Sequence, residues 1–127
     1  MGIQPDESRK DEIATTMITN LDALREGLIA INDEISVATP FHTDSYRAGL
    51  VAFQPRQGAD EKWITHDDAE VINYVLEGQG QLRLPDEEAP LSPGIICHIP
   101  VNVPHDFVAQ GKAPLVMFYI TIKTGKR

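Results

Sequence analysis

Cysteine is nearly absent: Cys97 is the only one in 127 residues, so no disulfide can form within one chain. That composition suits a reducing compartment, where thiols stay reduced. Basic residues are also scarce, with 11 Lys and Arg against 19 Asp and Glu and a formal net charge of −8. An acidic chain repels a phosphate backbone, and no Lys/Arg cluster interrupts the acidity, so nucleic acid is not an expected partner. The acidity reads as solubility. No apolar run approaches the roughly eighteen residues of a membrane span. Residues 1–10 are polar and charged, unlike the apolar stretch of a secretory signal. Asp6 stands where a myristoylation signal beginning at Gly2 needs Ser or Thr. The expectation is a cytoplasmic protein without a membrane partner. Also missing are a P-loop, a dinucleotide fingerprint and a nucleophilic triad.

What is present is an ordinary globular composition, 42% hydrophobic and 24% charged, which suits one soluble domain. A chain this long buries roughly two-thirds of its unfolded surface. Residues 1–19 read as a loosely held arm crowded with charge. From Asn20, a fair N-cap, Leu21, Leu24 and Leu28 recur at helical spacing and predict a short helix over 20–29. After Pro40 the texture changes to short apolar runs broken by Gly and Pro. Strands are expected at 46–54, 71–76, 81–84, 95–99, 105–109 and 115–122, with turns at Gln57-Gly58, Asp86 to Glu88 and Ser92 to Gly94. The chain therefore divides into an N-terminal arm and helix (1–40) and an all-β body (41–127), a sandwich or barrel rather than βαβ units.

Two segments of that body carry a pattern. Gly94 is followed by five residues, then Pro100, Val101, Asn102, Val103, Pro104 and His105. Upstream, His66 to Glu70 leads into Tyr74-Val75-Leu76-Glu77-Gly78. Together these segments resemble the paired signatures of the cupin superfamily, over about residues 46–122. Asn102 stands where cupins usually have Gly, and Ala109 where they usually have Asn. Asn is the mildest replacement, since it tolerates positive φ better than other side chains. The resemblance implies an antiparallel β-barrel of the jelly-roll kind, a double-stranded β-helix, with the short helix ahead of it. It also implies a homodimer, and an open sheet edge needing a partner points the same way.

Metal-binding cupins, by the same resemblance, hold one ion with two His and one Glu from the first segment and one His from the second. Counted strictly back from Gly78, Thr65, Asp67 and Val71 take the first three places and only His105 remains. A register shifted by one residue keeps His66 and Glu70 at family spacing, with Ile64 in place of the first His. That register needs a β-bulge between Glu70 and Asn73 to absorb the shift. It makes His66, Glu70 and His105 the expected ligands of a divalent transition metal such as Fe, Mn, Ni, Cu or Zn. Asp68 reads as a turn residue, the alternatives being a fourth ligand or a partner orienting His66.

The remaining candidates have simpler readings. His42 reads as a loop residue, His98 as packed, Cys97 as core, and Trp63 and Tyr74 as barrel packing. Asn73, odd among Val and Ile, reads as a polar pocket residue. Three functions stay open. One is a metal-dependent enzyme of oxygenase, isomerase or decarboxylase type acting on a small polar molecule. Another is an epimerase-like pocket in which His105 or His66, paired with Asp68, moves a proton. The third is a metal-free ligand-binding or regulatory module.

Overall fold

Runs of Val, Ile and aromatic residues punctuated by Gly and Pro fold here as short antiparallel strands. The computed structural model describes residues 17–56 and 60–124. The elements are α1 (Leu21–Glu26), β1 (Ile29–Ala30), β2 (Ile35–His42), β3 (Tyr46–Phe53), β4 (Ala69–Glu77), β5 (Gln79–Leu84), β6 (Glu87–Leu91), β7 (Ile96–Ile99), β8 (Asp106–Gln110) and β9 (Leu115–Lys123). Most of the expected arm and the turn at Gln57-Gly58 lie outside the described residues. No helix among those residues is long and apolar enough to cross a membrane.

The strands form a six-stranded sheet, in order β1-β2-β3-β9-β4-β7, and a three-stranded sheet, β6-β5-β8. Their inner faces share one core, in which Val51, Val75 and Met117 of the larger sheet meet Leu82, Leu91 and Phe107 of the smaller. Burying each such side chain contributes about 1.5–3 kcal/mol. Among the described residues the ladders do not close into a single ring. Instead two bridges, Pro55 with Ala109 and Ile64 with His105, join the sheets.

The helix is shorter than its leucine spacing suggests. Asn20 caps it, its side chain accepting the Ala23 N–H at 2.8 Å. Gly27 ends it, and by Ile29 the chain already pairs with Val37 of β2. Leu24 and Leu28 pack on Ala38, Leu50, Ala52 and Val116, on the outer face of the larger sheet. The second departure from expectation lies in residues 29–42, which supply β1 and β2 rather than an arm. Pro40 reads as a breaker, yet it sits at a bulge between Ala38 and Phe41, where a missing N–H is tolerated. The bulge presses the Ala38 carbonyl oxygen into the space that a Cβ on Gly49 would fill. Only glycine fits there.

At one end of the core the two sheets are tied by charge. The Arg56 guanidinium bridges two buried carboxylates: Nη2 donates to Glu34 at 2.9 Å and to Asp106 at 2.8 Å. Its Nε and Nη1 take the second oxygen of each, at 3.1 and 2.9 Å. Lys62 adds its ammonium to Glu34 at 2.9 Å. Burial pushes both carboxyls up, but these hydrogen bonds outweigh it and hold both below the usual carboxylate range. Glu34 precedes β2 and Asp106 directly follows His105, so this network fixes the strands that frame the cavity described next.

Candidate functional site

Alternation along three neighbouring strands builds one wall of a cavity of about 350 Å³. In register across β3, β9 and β4, Arg47 pairs with Thr121 and Thr121 with Val71. One pleat further in, Gly49, Tyr119 and Asn73 are aligned, and beyond them Val51, Met117 and Val75. The wall thus grades from polar to apolar with depth. Ile35, Val37 and Thr39 of β2 continue it, and Ile64, His66, His105 and Phe107 face it from the other side. The Tyr119 hydroxyl lies 2.5 Å from Thr39 Oγ1.

His105 is 3% exposed. Its Nδ1 lies 2.9 Å from the Val103 carbonyl oxygen. A carbonyl only accepts, so Nδ1 carries the proton and Nε2 keeps its lone pair. Burial pushes the His105 pKa below the usual histidine value, and the Val103 hydrogen bond opposes this only in part. Burial thus favours the neutral form of the ring. His66 reaches it through the backbone: Ile64 and His105 exchange two N–H···O bonds of 2.9 Å, and the Asn102 N–H donates to the His66 carbonyl at 2.7 Å. Asn102 adopts φ +65°, the left-handed conformation expected where cupins usually have Gly. The imidazoles of His66 and His105 consequently stand 5.5 Å apart, centroid to centroid, at 40°.

Glu70 does not join them. Burial alternates from Ala69 to Leu76, so Ala69, Val71, Asn73 and Val75 face inward and Glu70 outward. Its carboxylate meets His98 Nε2 at 2.7 Å on the outer face. The bulge expected between Glu70 and Asn73 is absent; the irregularity in β4 falls between Val75 and Glu77. A bend at Asp67-Asp68 separates His66 from the strand. The result combines the two registers: His66 comes from the shifted one, Val71 from the strict one.

Other expectations divide. Cys97 is buried in the core, its thiol pushed up by burial, and Asn73 lines the cavity. His42 ends β2 rather than lying in a loop, and His98 is exposed rather than packed. Trp63 and Tyr74 are 41% and 42% exposed, so neither is barrel packing. Asp68 borders a small recess beside Arg47 and makes no side-chain hydrogen bond to His66. Sequence reasoning missed Arg47, Thr39, Tyr119 and Thr121 as lining residues. A signal existed for two of them: Tyr119 and Thr121 are polar at a two-residue spacing inside the otherwise apolar run of β9.

A transition-metal site does not fit these residues. The donors facing the cavity are two imidazoles, with the aliphatic Ile64 and Val71 beside them and no carboxylate among the described lining residues. Among the described residues no three His, Cys, Asp or Glu side chains are grouped to hold an ion. Two buried polar atoms lack a hydrogen-bond partner among the described residues, Arg83 Nε away from the cavity and Asn73 Oδ1 on its wall. Asn73 is 3% exposed. An amide oxygen buried without a partner calls for a hydrogen-bond donor to meet it.

The profile of the cupin domain matches residues 49–121. Among solved structures, TT1209 from Thermus thermophilus is 25% identical with a TM-score of 0.68, covering 84% of this chain and 96% of its own. KdgF from a Halomonas species is 26% identical with a TM-score of 0.64, over 76% of this chain and 87% of its own. A Thermotoga maritima protein described as a predicted oxalate decarboxylase is 15% identical with a TM-score of 0.70, over 84% of this chain and 99% of its own; at that identity it shares the fold alone. No curated protein matches the chain. With its signature histidine inside the cavity and the domain profile spanning more than half of its length, the chain belongs to the cupin family.

Proposed function

We propose that this cupin binds a small organic molecule directly through its side chains, without a metal ion. The observation that carries the reading is the pair Ile64 and Val71, which share the cavity with His66 and His105 where a metal site needs further donors. The volume, the apolar lining and the few convergent polar groups suit a small ligand. Tag-free protein should retain far less than one ion per chain after dialysis against Mn2+, Ni2+ or Zn2+, by elemental analysis. One ion per chain, lost in His105→Ala, would overturn the reading.

A second reading, proton transfer, is favoured by one feature: burial favours a neutral His105 with its proton on Nδ1, leaving Nε2 as a base on the cavity wall. Its partner in that role is His66, at 5.5 Å between centroids. Exchange of an acidic C–H of a bound ligand with deuterated solvent, lost in His105→Gln, is the outcome that supports it.

The homodimer belongs to the proposal as well. β7 is an open sheet edge carrying Ile96, 69% exposed, with Ile95 beside it at 40%. Ultracentrifugation showing a species of 14.1 kDa alone would remove this part.

A further inference from the structure

We propose that the ligand of this cavity is a small organic carboxylate, its charge met by Arg47 and its apolar body lying deeper, within reach of Asn73. The proposal rests on the reading of the cavity as an organic-ligand site and names the class of ligand.

Arg47 is the first observation. Four arginines lie among the described residues, and Arg25, Arg56 and Arg83 each pair with a carboxylate there. Arg47 has no such partner among the described residues. It lines the cavity and is solvent-exposed, so its guanidinium sits where a ligand would enter. Asp68 borders the neighbouring recess with it but makes no ion pair. In a chain of net charge −8, an uncompensated guanidinium at a cavity selects an anion by proximity, since the long-range field repels one.

The gradient of the wall is the second. Next to Arg47 in register is Thr121, whose hydroxyl can join the guanidinium on a carboxylate. One pleat deeper stands Asn73, buried and with its Oδ1 unpartnered among the described residues, and beyond it the lining is Val51 and Phe53. A molecule with a carboxylate at one end, a hydrogen-bonding group and an apolar body satisfies all three levels. A metal or ammonium ion would be repelled by Arg47. Inorganic phosphate has no apolar body to fill the deeper lining at Val51 and Phe53.

The test uses the full chain and three acid–amide pairs that carry a hydroxyl donor, mandelate, 3-phenyllactate and 3-hydroxyhexanoate with their amides, followed by NMR of the His66 and His105 rings. The acids should bind about tenfold more tightly than the amides at pH 7, one charge-assisted hydrogen bond being worth about that factor. Arg47→Met should abolish the acid preference and leave amide affinity in place, and Arg47→Lys should keep part of it. Added salt should weaken acid binding selectively. Equal binding of acids and amides, or an equal loss of both in Arg47→Met, would overturn the carboxylate assignment while leaving the cavity reading intact. If neither acids nor amides shift either imidazole, both fall.

Discussion

Two polar clusters lie within this small core, and they are satisfied to opposite degrees. Around Arg56, both oxygens of Glu34 and both oxygens of Asp106 are hydrogen-bonded, although Asp106 is 1% exposed. In the cavity, Asn73 is nearly as buried and its Oδ1 bonds to nothing among the described residues, while Arg47 lacks a carboxylate there. A closed network holds structure together; an open one has partners to find outside the chain.

The largest way to test that contrast is Arg56→Met. Removing the guanidinium strands two buried carboxylates, and breaking such a pair typically costs about 3–5 kcal/mol. Urea unfolding should show a loss of that size; a loss well below this range would mean the cluster is not structural. The pH dependence should follow. Glu34 and Asp106 are held lower in the folded state than when unfolded. Their contribution is therefore present above the unfolded carboxylate range, near about pH 4, and lost as pH falls through the folded values. Wild type should lose stability steeply under acid, and Arg56→Met should lose much less.

Asn73→Leu is the converse experiment, with a smaller effect of opposite sign. Replacing a buried amide whose oxygen is unpartnered among the described residues by an apolar group of similar shape should leave stability unchanged or raise it by up to about 1 kcal/mol. Ligand binding should fall in the same variant. A marked destabilisation, measured by thermal or urea unfolding, would show that the amide already has a structural partner. Smallest of all is Glu70→Gln. The Glu70–His98 pair lies on the outer face with side chains 36% and 54% exposed, so its loss should cost a few tenths of a kcal/mol. Cavity binding should not change.

How far the sequence reveals this depends on which interactions are local. His105 is legible because its surroundings, from Gly94 to Pro104, are a contiguous turn and strand whose backbone needs specific residues, down to the left-handed Asn102. Strand positions after Pro40 are legible as short apolar runs between turn residues, except β6, whose Glu87 and Glu88 read as part of a turn. Glu70 lies outside the cavity, which its spacing to His66 does not reveal: a bend at Asp67-Asp68 intervenes, and one residue of difference turns every side chain over. β2 is hidden by Pro40, whose tolerance depends on a bulge against Gly49 that no local pattern announces. The Arg56 cluster joins residues 22 and 50 positions apart, and Arg47 becomes a cavity residue only through pairing with β9. Such long-range placements are set by tertiary packing and leave no spacing to read.

The central claim is that Ile64 and Val71, not Glu70, complete the surroundings of His66 and His105. Cobalt(II) titration of Ile64→His/Val71→Glu beside wild type tests it most directly, because the visible d–d absorption of the ion reports its donors. The double variant, now presenting three imidazoles and an inward carboxylate, should take up one Co2+ per chain, and wild type should not. Stoichiometric Co2+ in wild type, lost in Glu70→Gln, would contradict the account and place Glu70 inside the cavity.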